Sequence, residues 1–182
     1  GHPFDMEVWI RNAYYVSQGQ NPYAAFMPAI PGLSFTYLQV ELASVGYLPV
    51  WSLLLAGLYK VYSIVPGAGR FFFYFLVKQP TVLGDVYLGW LVFRAAERWG
   101  PSRDIAVGLL RYWMFFPYAI IISAVWGQFD SIVAAFLLSF LLCQREGRRI
   151  LWLGFSIALK WFPVIFVTLY AFREGLYRRG LS

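Results

Sequence analysis

From Ile105 to Leu142 the chain runs 38 residues with only two charges, Arg111 and Asp130, and one polar break, Trp126-Gly127-Gln128-Phe129-Asp130. A run of that length is enough for two membrane crossings of about 20 residues each. Three further apolar blocks accompany it: Gly46 to Val65, Phe71 to Phe93 and Ile150 to Phe172. The second is interrupted by Lys78-Gln79-Pro80 and Asp85, the fourth by Lys160-Trp161-Phe162-Pro163. Hydrophobic residues make up 60% of the chain and charged ones 13%, against about 25% charged in an average globular chain. With a mean hydropathy of +0.59, there are too few polar side chains to cover a water-facing surface. Disorder, coiled coil and a disulfide scaffold are excluded, the last because Cys143 is the only cysteine. The composition therefore predicts an all-α, polytopic transmembrane helical bundle.

The net charge of +6 does not point to nucleic acid, because the basic residues sit at the ends of apolar blocks, as topology signals do. Eleven of the 15 cations fall in the linkers at Lys60 and Arg70, at Arg94, Arg98 and Arg103, at Arg145, Arg148 and Arg149, and at Arg173, Arg178 and Arg179. If all these linkers are cytoplasmic, each of the last three blocks enters and leaves on one side. Each is then a hairpin of spans or short broken helices. Lys78, Gln128, Asp130 and Lys160 would all point to the outer side, together with the loop that carries Asp5. No secretory signal with a cleavage site is visible. The expected organisation is a single membrane domain: an extracytoplasmic loop over 1–45, a transmembrane core over 46–172 and a basic cytoplasmic tail over 173–182.

Within the first loop, Met6, Trp9, Ile10, Ala13, Tyr14 and Val16 recur at helical spacing up to Ser17, with Glu7 and Arg11 one turn apart on the other side. Asp5 is placed to cap this helix and Gly19 to Pro22 to end it. A short helix of this kind suits the membrane interface. The segment from Pro28 to Val45 fits neither period and reads as an interfacial loop.

An ionisable side chain in hydrocarbon costs about 2.5–3.5 kcal/mol, so Lys78, Asp85, Asp130 and Lys160 must pair or line a wet cavity. Asp5 and Glu7 are either a capping acid and a first-turn acid, or a general base and its helper facing a lipid-borne substrate. The break at Gln128 and Asp130 is either a tight turn or the floor of a site for a polar ligand such as sugar hydroxyls. Lys160 either snorkels, pairs with Asp130, or binds a phosphate group. A structural ion pair is the expectation for Asp85, and Arg111 reads as a snorkelling side chain. The lone His2 and Cys143 carry no pattern, and no P-loop, clustered metal-ligand spacing or Ser/His/Asp arrangement is present.

These residues resemble, in order, the motifs of the GT-C superfamily of polytopic glycosyltransferases. His2-Pro3-Phe4-Asp5-Met6-Glu7-Val8-Trp9 is similar to their acidic first-loop motif. Gly19-Gln20-Asn21-Pro22-Tyr23 and Tyr47-Leu48-Pro49 resemble stretches of the polyprenyl-phosphate-mannose-dependent members, although Val50 stands where a second proline is usual. Lys78-Gln79-Pro80-Thr81-Val82-Leu83-Gly84-Asp85 is similar to a run in dolichyl-phosphate-glucose and -mannose transferases. Pro117, Trp126 to Ser131 and Ala158 to Pro163 complete the order. The resemblance implies a hexosyltransferase that takes mannose or glucose from a polyprenyl or dolichyl phosphate on the extracytoplasmic side of a prokaryotic cytoplasmic membrane or the endoplasmic reticulum. The acceptor would be a lipid, glycan or protein. It implies Asp5 as base, Glu7 as its helper or a substrate ligand, Lys160 with Lys78 or Arg111 on the lipid phosphate, and Gln128 and Asp130 on hydroxyls. Metal dependence varies across the superfamily, and one Asp-x-Glu leaves a divalent metal open. The family's first span and later spans are not in this sequence, so the resemblance is to the core of a longer enzyme. The competing readings are a transporter core, which calls for internal symmetry that the sequence does not display, and a non-catalytic subunit of a membrane complex.

Overall fold

A computed structural model describes residues 2–23, 26–35, 42–43 and 47–178. Among these residues the chain is mainly helical, as expected. The expectations for 36–41, for 44–46 and for the end of the basic tail at 179–182 lie outside the described residues.

The first helix, α1 (Pro3–Ser17), starts with proline at its first position, where a missing N–H costs nothing. His2 rather than Asp5 is the capping position, and Asp5 sits in the first turn, where a carboxylate favours the helix dipole. Gly19, at φ 79°, closes the helix as its sequence predicts. The expected one-sided burial of α1 is corrected, because both faces of its middle turns are covered. Met6, Trp9, Ile10 and Ala13 face the core, and Glu7, Arg11 and Asn12 are equally buried. Their cover is the segment from Phe26 to Phe35, which begins with a short antiparallel ladder of β1 (Phe26–Met27) on β2 (Leu42–Ala43).

Next, α2 (Pro49–Ser63) runs beside α1, with Trp9 against Trp51 and Tyr14 against Tyr59. The second apolar block is not a hairpin. It forms one continuous helix, α3 (Arg70–Trp99), about 45 Å long at 1.5 Å per residue. Pro80 removes one backbone donor there, yet the helix runs on through it. Gln79 donates to Phe75 O at 3.1 Å, and Thr81 Oγ1 donates to Lys78 O at 2.8 Å and Ser123 O at 3.3 Å. A continuous α3 also puts Arg70 and Arg98 at opposite ends. The expectation that every basic linker shares one side therefore fails for Arg70, which stands at the end of α3 nearer Asp5.

The third and fourth blocks do form hairpins. The helices α4 (Arg103–Met114) and α5 (Pro117–Ile120) and a π-helical turn (Ile121–Trp126) climb back along α3. α6 (Asp130–Leu142) descends, α7 (Glu146–Leu159) returns, and a 3₁₀ turn (Phe162–Val164) leads into α8 (Ile165–Arg178). α3 meets α6 closely at Gly84, where a Cβ would lie 2.6 Å from Ile132 Cγ1. The core gathers around Phe129, which stacks on Trp51 with ring centroids 4.0 Å apart. No single helix among the described residues is both long and apolar enough to cross a membrane. The pair Arg103–Met114 and Pro117–Trp126, bent by 41°, passes that test together.

Candidate active site

The site lies where α1 begins, the π-helical turn ends, α6 begins and α7 ends. Gly127 makes the junction. Its φ of 95° suits glycine, and a Cβ there would lie 2.7 Å from Met6 Cε, with Trp9 and a Lys78 methylene also adjacent. The chain therefore reverses against α1, and the residues on either side of the turn reach the same carboxylate. Trp126 Nε1 donates to Asp5 Oδ2 at 2.6 Å and Gln128 Nε2 donates to the same oxygen at 3.1 Å. The other oxygen, Oδ1, has no partner among the described residues. His2 stacks on the Trp126 ring, with centroids 5.5 Å apart.

Glu7 is only two residues from Asp5 but does not share this site. Two positions on a helix are about 200° apart, and Glu7 points into the core. Its Oε1 accepts from Arg11 Nε at 2.7 Å and its Oε2 from the backbone N–H of Phe35 at 3.1 Å, while Arg11 Nη1 donates to Met27 O at 3.0 Å. Both side chains are 0% exposed. Glu7 thus holds the covering segment on α1. It also follows that Asp5 and Glu7 do not fit one divalent ion, since both Glu7 oxygens are occupied on the far face. No group of three or more His, Cys, Asp or Glu lies together among the described residues.

Asp130 and Lys160 meet across the mouth, Nζ to Oδ1 at 2.5 Å, with Lys160 Nζ also 5.0 Å from the centroid of the Phe129 ring. The lysine is therefore held by a carboxylate rather than free for an anion. Lys78 differs. It is half-buried, makes no hydrogen bond or ion pair among the described residues, and lines a cavity of about 420 Å³ walled by Pro3, Met6, Phe35, Phe71, Tyr74 and Phe75. On the other side of the turn, a cavity of about 310 Å³ brings Asp85, Gln128, Asp130 and Ser131 together under Trp113 and Tyr118. The expected ion pair of Asp85 is replaced by a hydrogen bond, because its carboxylate accepts from Ser123 Oγ. That bond sits in the π-helical turn, a geometry common at functional sites. Lys78 and Asp85 open into different cavities, and Arg111 stands exposed on α4 away from both. Cys143 lies at the opposite end of α6.

Two neighbours of Asp5 are not singled out as site residues by the sequence. Trp126 reads there only as part of a string, and its indole N–H proves to be the shortest donor to Asp5. Tyr47 lies against Trp9 and Phe129 and lines a cavity of about 300 Å³ with Lys160. Tyr47 thus places its phenol at the mouth, beside Lys160. Its aromatic environment and position before a helix-starting proline were the available signals. No known protein family, no curated protein and no solved structure matches this chain.

Proposed function

We propose that this protein is a membrane glycosyltransferase of the GT-C type. It moves a hexose, mannose or glucose, from a polyprenyl or dolichyl phosphate to an extracytoplasmic lipid, glycan or protein acceptor. The observation that carries the reading is Asp5, a half-buried carboxylate with one oxygen held by two N–H donors and the other unengaged among the described residues, whose donor Gln128 lines one cavity with Asp130 and Asp85 and whose helix neighbours Pro3 and Met6 line another with Lys78. Placement in a bilayer is supported by the large apolar side chains exposed along the helices and at their ends, among them Phe71, Phe115, Trp161 and Phe172. A soluble monomer rarely exposes such patches.

In this reading the carrier's phosphate and first isoprene units lie in the Lys78 cavity, and the hexose turns under Gly127 toward Gln128 and Asp130. Asp5 Oδ1 takes the proton of the acceptor hydroxyl, whose oxygen attacks the anomeric carbon. The bond from that carbon to the phosphate oxygen breaks, and its electron pair stays on the phosphate, where the Lys78 ammonium balances the charge. One displacement inverts the anomeric centre. No second acid is needed because phosphate is already a good leaving group. Glu7 has no part in the step.

Membranes expressing the full-length protein should transfer labelled sugar from polyprenyl-phosphate-mannose or -glucose, and Asp5→Asn should lower the rate by about 10²–10⁴-fold at equal expression. Transfer that survives Asp5→Asn removes Asp5 as the base. Absence of transfer from every carrier contradicts the enzyme reading in favour of transport or a subunit role.

A further inference from the structure

The opposite end of the bundle holds a built feature that sugar transfer does not use. A cavity of about 400 Å³ opens between the last turns of α3 and the α6–α7 connection. Trp90, Leu91 and Leu142 give it an apolar wall, and Arg94, Arg98 and Gln144 a polar one. Arg98 Nη1 donates to Leu142 O at 3.3 Å, and the Gln144 amide, with its oxygen toward Arg98, accepts from its two terminal nitrogens at 3.3 and 2.9 Å. Arg98 is therefore fixed in place with donors to spare. Glu97 is the one acid in the wall. It lies 3.7 Å from Arg94 and 3.8 Å from Arg103, whose side chains are 59% and 81% exposed, and pairs that open hold their cations weakly.

Three observations together describe an occupant. Charge is one of them, since Arg94, Arg98 and Arg103 on α3 and α4 and Arg145, Arg148 and Arg149 at the α6–α7 connection outnumber Glu97, Asp104 and Glu146 on those same segments. Another is the pair of exposed indoles, Trp90 and Trp99, each beneath an arginine, with Arg94 5.9 Å from one centroid and Arg98 5.6 Å from the other. Tryptophan beside arginine is the pairing found at headgroup depth. Depth is the last, because Arg98 follows Lys78 by 20 residues on the continuous helix α3, about 30 Å away, which is one hydrocarbon thickness.

We infer that this groove binds the headgroup of an anionic phospholipid, its phosphate between Arg94 and Arg98 and an acyl chain along Trp90 and Leu91. The inference rests on the membrane reading above but not on sugar transfer. The full-length protein, purified in neutral phosphatidylcholine micelles and titrated with phosphatidylglycerol, should retain one phosphatidylglycerol per chain in native mass spectrometry. Arg94→Gln with Arg98→Gln should cut that retention at least about tenfold. Arg94→Lys with Arg98→Lys should keep most of it, which reads the charge even where the glutamine variant does not fold. Equal retention of phosphatidylcholine, unchanged retention in a folded glutamine variant, or loss in the lysine variant would each overturn the inference. Displacement of the lipid by an equal concentration of glycerol phosphate would also overturn it, since the ligand would then be a soluble phosphate. The readout contains no transfer step, so loss of transfer and loss of lipid retention are separate failures.

Discussion

Two regions meet at α1, and they treat similar chemistry in opposite ways. Beneath the covering segment, Glu7 and Arg11 form an ion pair with no exposure, and backbone groups of Phe35 and Met27 occupy the sites left over. At the mouth, Asp5 is only half-buried, and the Asp130–Lys160 pair leaves the two side chains 49% and 23% exposed. In the inner region both Glu7 oxygens are occupied and the pair is closed to solvent. Among the described residues the outer one keeps an unengaged carboxylate oxygen on Asp5 and, lining a cavity, a lysine without an ionic partner, Lys78. Where a carboxylate falls on the turn of the helix, rather than its place in a motif, decides whether it holds the fold or faces a ligand.

Breaking the inner region has the largest expected effect. Glu7→Gln leaves the Arg11 charge buried without its partner and should cost about 3–5 kcal/mol, read as a lowered thermal midpoint of the purified full chain. Replacing both residues, Glu7→Leu with Arg11→Met, should recover much of that loss, since apolar substitutes of similar volume are tolerated where a lone charge is not. A Glu7→Gln protein as stable as the parent would erase the distinction between the two regions.

At the mouth the effects move from stability to turnover. Lys78→Met should lower kcat/KM for the lipid-phosphate donor by about 10²-fold, with Lys78→Arg restoring part of it. The thermal midpoint should hardly move, because Lys78 has no hydrogen-bond or ion-pair partner to lose among the described residues. The smallest change is expected at the outer pair. Lys160→Met should shift stability by under about 1 kcal/mol, as for other partly exposed pairs, and reduce donor turnover less than Lys78→Met. If the order of the two lysines is reversed in the kinetics, Lys160 must leave Asp130 when the phosphate arrives.

Much of this arrangement was legible in the chain. The turn at Gly127 to Phe129 and the break at Lys160 stand out as polar interruptions of apolar runs, and they do reverse the chain. Those reversals bring Gln128, Asp130 and Lys160 to the end that holds Asp5, as the hairpin reading expects. What was not legible comes from distant segments. Lys78-Gln79-Pro80 looks like a helix break, yet α3 continues through it, and Thr81 ties that stretch to Ser123 O on the π-helical turn. Glu7 and Arg11 look like a solvent-facing pair, because nothing local reveals that Phe26 to Phe35 folds over them. The ion pair of Lys160 could be offered only as one of three alternatives, since a sequence gives no distance between α6 and α7.

The most direct test measures two quantities on two variants, the thermal midpoint and the rate of sugar transfer for Asp5→Asn and Glu7→Gln of the full-length protein. Asp5→Asn should keep the midpoint within about 2–4 °C of the parent while transfer falls by at least about 10²-fold. Glu7→Gln should lower the midpoint by several times that margin, and whatever folded fraction remains should transfer sugar at close to the parent rate. The opposite pattern, with a stable but inactive Glu7→Gln and an active Asp5→Asn, would contradict the assignment of Asp5 as the base and Glu7 as structural.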